Sequence, residues 1–203
     1  TRLQNMGTTD AMRVEEVQRV RLTNILGFIP MLMYMVYIMF GILNSYYFPV
    51  ILCSVLTVLT ITGIVLNNRK HYGAAKFLLF SINALSVFMA YNCLNIDYSI
   101  CCYFFPLLMA FELLYDLQLE WKRFLPALLF TVLCAFACFV LPKGLIYYYE
   151  MTPELVQSSI LLNYILPLLI SLFFVIIIMR MYAETQNKLI HAKEEAEAAY
   201  KAK

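Results

Sequence analysis

The sequence predicts an all-α, polytopic membrane protein, and three observations carry that prediction. Of its 203 residues, 63% are hydrophobic and only 14% charged, whereas soluble domains carry about a quarter charged residues. The apolar residues gather into six blocks, roughly 22–43, 46–66, 74–95, 100–118, 124–141 and 159–180, each near the ~20 residues that cross a bilayer as a helix. These blocks lack the alternation and ~10-residue length of barrel strands, and in lipid only a helix or a closed barrel satisfies its own backbone.

Orientation follows from the cations. Every lysine and arginine except Lys143 falls on one side of a six-span arrangement, so the positive-inside bias places both termini in the cytoplasm. The net charge of +2 therefore carries topology and gives no reason to expect a nucleic-acid partner. Three regions result: a cytoplasmic amphipathic segment, 1–21; a six-helix membrane domain, 22–181; and a polar C-terminal helix, 182–203.

In the first region, "TTDAMRVEEVQRVRL" offers Thr9 or Asp10 as an N-cap, with acidic residues early and basic residues late, the polarity a helix prefers. It reads as an interfacial helix feeding span one, either a surface anchor or a gating element touching the C-terminal helix. Spans one, four, five and six contain or border Pro30, Pro106, Pro126 and Pro167. An interior proline removes a backbone donor and bends its helix. Pro167 stands out because span six leads straight into the tail, as a fixed kink or as a hinge.

The outer connections are short, the longest being "PKGLIYYYEMTPELVQ", so a stimulus has to be read within the bilayer or at its outer lip. Tyr91, Tyr98, Tyr103 and Tyr148 crowd that lip. They read as an aromatic belt or as a cleft for an apolar or amphipathic ligand, with Asp97, Glu150 or Glu154 as polar anchors. Within the spans, Asn83 and Glu112 lie at similar depths, and a carboxyl there is expected to face the bundle interior, in a structural or a functional role. Asn92, Asn95 and Asn163 read as interhelical hydrogen-bond partners. The six cysteines read as packing thiols, Cys134 and Cys138 sharing one helix face. Both histidines lie in cytoplasmic segments, so no Cys/His metal constellation is expected.

The tail steps through Ile178, Tyr182, Thr185, Leu189, Ala192, Ala196 and Ala199, a short heptad seam with little apolar area. Such a marginal pairing can be biased by small movements above it. Its last stretch, "AKEEAEAAYKAK" (Ala192–Lys203), resembles the segment of bacterial sensor histidine kinases that precedes the dimerisation and phosphoacceptor domain. The resemblance covers about a dozen residues, with Tyr200 where the family carries a polar residue.

That resemblance implies a homodimer in the bacterial inner membrane, acting with a cognate response regulator, whose ATP- and Mg2+-dependent kinase core is absent from this chain. No phosphoacceptor box, nucleotide-binding motif or receiver aspartate is present, and His191 lacks the expected neighbours, so no catalysis or cofactor is expected here. On this reading Pro167, Arg180, Tyr182, Leu189 and Ala192 transmit the signal, and lipid or a small lipophilic ligand meets the spans. Two other expectations stand beside it. One is the membrane domain of a six-span nucleotide cyclase or other signalling receptor; the other is a small transporter or membrane enzyme.

Overall fold

A computed structural model describes residues 6–8, 12, 14–43, 45, 47–93, 98–115, 120–142, 144 and 153–201. Among them the chain is all-helical: α1 (Val14–Leu43), α2 (Tyr47–Asn68), α3 (Tyr72–Cys93), a 3₁₀ turn (Tyr98–Tyr103) continuing into α4 (Phe104–Leu114), α5 (Trp121–Val140) and α6 (Pro153–Lys201). Five of these helices are long and apolar enough to cross a membrane.

One expectation needs correction, at span four, expected over 100–118. Its apolar helix covers only Ser99–Leu114, because Tyr115 turns into extended backbone (φ −100°, ψ 138°) and closes the helix with its N–H on Phe111 O. The opening 3₁₀ turn rises ~2 Å per residue instead of 1.5 Å, which recovers part of the lost reach. At the expected boundary of 21/22, α1 runs unbroken for 30 residues from Val14. A rod of that length has room for both a polar first turn and a hydrocarbon crossing.

The serine and threonine hydroxyls of α2 are satisfied locally. Ser54, Thr57, Thr60 and Thr62 of α2 donate to the carbonyls of Val50, Cys53, Leu56 and Val58 at 2.7–2.9 Å, which lets them sit in hydrocarbon without a neighbour. The α2–α3 turn closes with His71 N–H on Leu66 O at 2.9 Å and Lys70 N–H on Asn67 O at 3.1 Å. That pairing is a Schellman end with Lys70 left-handed at φ 66°.

Helix α3 is central, packing on α1, α2, α4 and α5. Gly63 sets how closely α2 approaches it: a Cβ there would lie 2.7 Å from Leu79 Cδ2. The main core joins α3, α4 and α5 with Phe174 of α6 and runs along the bundle; towards the end carrying the basic residues Phe80 stacks on Phe111 with ring centroids 3.9 Å apart. Phe124 meets Phe111 and Tyr115 edge-on. Helix α6 reaches this body through the 3₁₀ turn and α4.

Candidate ligand cavity

At the opposite end, where α1 finishes and α2 begins, the helices do not close on one another. They enclose a cavity of about 430 Å³ bordered by α1, α2, α3, the 3₁₀ turn, α4 and α6, within the size range of small-molecule sites. Its walls are almost wholly apolar, from Leu26 and Met33 on α1 and Leu52 on α2 to Val87 on α3 and Leu166, Ile170 and Phe174 on α6. A second, smaller core of Tyr34, Leu56 and Ile82 packs beside it.

A few polar groups interrupt this surface: Tyr34, Tyr37, Cys53, Asn83, Ser86 and Tyr103. The two polar side chains that α3 contributes both donate within that helix. Asn83 Nδ2 donates to Leu79 O at 2.7 Å, and Ser86 Oγ donates to Asn83 O at 2.8 Å. Tyr34 differs. It is only 6% exposed, and its hydroxyl is buried without a hydrogen bond although Ser86 lies beside it.

Of the residues singled out in the sequence, Asn83 and Tyr103 therefore meet in one cavity. Tyr91 does not join them: it is buried in the main core. Tyr98 lies on the backbone of the 3₁₀ turn, while Asp97, Tyr148 and Glu150 lie outside the described residues. The expected inward orientation of Glu112 is corrected, since this residue sits on the exposed side of α4, two positions before the helix ends. The asparagine expectation also changes. Asn92 Nδ2 donates to Phe88 O of its own helix at 3.2 Å, and the Asn163 amide nitrogen is buried without a partner; Asn95 lies outside the described residues.

Polar pairing between helices occurs instead at the basic end. Asn67 Nδ2 on α2 donates to Asn24 Oδ1 at 2.7 Å and to Val20 O at 3.1 Å on α1. Asn24 Nδ2 in turn donates to Met6 O at 2.9 Å, and Tyr72 Oη donates to Gly7 O at 2.8 Å, so Met6 and Gly7 are tied to α1 and to the start of α3. Gly7 is left-handed at φ 85°, and a Cβ there would fall 2.6 Å from Asn67 O. An ion pair lies nearby: Lys76 Nζ of α3 meets Glu120 Oε2 at the start of α5 at 2.5 Å, their side chains 6% and 19% exposed. The ammonium also sits 5.1 Å from the Tyr115 ring centroid, a cation–π distance.

Helix α6 continues for 49 residues, roughly 70 Å at 1.5 Å per residue. Pro167 is buried within it, Arg180 and Tyr182 are exposed, and Leu189 and Ala192 occupy backbone positions on the same rod. The expected seam changes at its start, because Ile178 packs against the core of its own chain. Exposed apolar side chains cover more than half of the circumference of α6, among them Tyr164, Leu169, Phe173 and Tyr182; Leu161, Ile165, Leu168, Leu172 and Met179 form the part opposite the cavity-lining Leu166, Ile170 and Phe174 at ~100° per residue. Cys53, Cys102, Cys134 and Cys138 carry free thiols, the last two buried on one face of α5. Among the described residues no group of histidine, cysteine or acidic side chains is placed to hold a metal.

No protein-family model, curated protein or solved structure matches this chain.

Proposed function

We propose that this chain is the membrane sensory region of a sensor histidine kinase, converting occupancy of the cavity into movement of α6 and of a partner α6 in a homodimer. The observation that carries the reading is that one unbroken helix both lines the cavity, at Leu166, Ile170 and Phe174, and forms the polar tail. The short match of Ala192–Lys203 to the segment preceding kinase dimerisation domains supports the choice of output. The concentration of basic residues at the tail end of the spans supports cytoplasmic termini, with the 3₁₀ turn and α4 together serving as the remaining crossing.

Nothing in this fragment performs chemistry; it transmits. A ligand shifts such a device only through different affinities for its two states, and a tenfold preference corresponds to about 1.4 kcal/mol, the scale of a few altered contacts. Cavity side chains on one face of α6 and an exposed apolar stripe on the other put the two requirements, sensing and pairing, on one rod.

The test uses the parent protein in membranes. Seven residues inserted after Gln186 shift helix phase by only ~20°, whereas two residues rotate everything beyond them by ~200°. ATP-dependent autophosphorylation that remains stimulus-controlled with seven inserted residues and becomes locked on or off with two supports the proposal. Absence of autophosphorylation in the unaltered parent, or identical control in both insertions, removes it.

A further inference from the structure

We infer that the cavity binds one uncharged, diffusible lipophile carrying an oxygen that accepts a hydrogen bond from Tyr34. The inference uses the sensory reading only for what binding achieves; binding itself is tested without any kinase output, so either can fail alone.

The lining decides the ligand's charge. No Asp, Glu, Lys, Arg or His borders the cavity among the described residues, so a phosphate or carboxylate there would be stripped of water without a counter-ion. The hydrogen bonds decide its polarity. Asn83 and Ser86 both donate into their own helix, while the Tyr34 hydroxyl is buried on the cavity wall without a hydrogen bond, with Ser86 its nearest polar neighbour there. A buried hydroxyl in that condition is unfavourable, and an oxygen acceptor on the ligand relieves it.

Position decides the source. Tyr34 lies nine residues from the last residue of α1, roughly 13 Å along the axis, which is below the level of lipid ester groups. An acyl chain reaching that depth from a phospholipid has only methylenes to offer. Ile29, Leu32 and Tyr37 on the α1 side of the cavity are exposed, giving a route from the hydrocarbon phase. A molecule dissolved in the bilayer can enter by that route with its oxygen leading.

The test places the chain in lipid nanodiscs with two photoreactive probes of equal length, a diazirine-bearing dodecanol and the corresponding diazirine-bearing alkane, and maps labelling by mass spectrometry. Dodecanol is expected to label cavity segments of α1 and α3 saturably, with displacement by unlabelled alcohol. Tyr34→Phe keeps the ring and removes the hydroxyl, so it should weaken dodecanol about two- to tenfold, the loss of one hydrogen bond, and leave the alkane unchanged. Ala90→Phe, which fills the lining, should abolish labelling by both. Equal dodecanol labelling in wild type and Tyr34→Phe overturns the inference, as does non-saturable labelling, which identifies bulk lipid as the occupant. Should Ala90→Phe fail to fold, the Tyr34→Phe comparison decides alone.

Discussion

At the scale of single residues, the stabilising polar contacts lie at the basic end of the bundle and the unsatisfied hydroxyl of Tyr34 lies at the other. Lys76 relies on Glu120 in a poorly hydrated place, while Glu120 also lies 4.0 Å from Arg123, so removing Glu120 strands the ammonium and removing Lys76 costs the carboxylate its nearest partner. Lys76→Met or Glu120→Gln alone is expected to lower stability by about 2–4 kcal/mol, and the double variant should recover most of it; thermal unfolding in detergent measures both. Asn67→Ala removes two donated hydrogen bonds and should cost about 1 kcal/mol, the usual worth of polar helix pairing in membranes. Glu112→Gln, on an exposed side of α4, should change stability by less than about 0.5 kcal/mol and leave output unaltered. These contacts were poorly legible in the sequence. Asn24 and Asn67 are 43 positions apart, and Glu120 looks like an ordinary helix-start acid until α3 brings Lys76 against it.

At the scale of elements, hydropathy was a good guide to where helices lie and a weaker one to where they end. The ends of α2, α3 and α5 fall within a few residues of the apolar blocks because Arg69, Lys70, Lys122 and Arg123 mark the basic boundary plainly. α4 stops early because Tyr115 becomes extended to pack between Phe80 and Phe124, a tertiary demand with no trace in composition. α1 crosses the expected 21/22 boundary because a helix passes from polar to apolar surroundings without any break in its backbone. Close approach of α2 to α3 depends on Gly63, so Gly63→Val should overpack the Leu79 contact and destabilise by about 1–3 kcal/mol, read as a lower unfolding temperature. Along α6, single cysteines at Leu168, Leu172 or Met179 should link two copies in membranes more efficiently than one at Ile178, which faces its own core.

At the scale of the whole molecule, the bundle is closed and polar-laced at one end and open and apolar at the other, with α6 running past both. The cavity could not be read in advance: Asn83 and Tyr103 were singled out separately for depth and for interfacial position, and only helix spacing shows that they share a space with Tyr34. The account rests on α6 acting as one rod beside its partner. The most direct measurement is a single-cysteine cross-linking scan from Tyr182 to Ala196 in a cysteine-depleted full-length protein in native membranes. Maxima at Tyr182, Leu189, Ala192 and Ala196, repeating every three to four residues, are the predicted result. A flat profile, or linkage concentrated at opposite-face positions such as Glu194, would contradict the account.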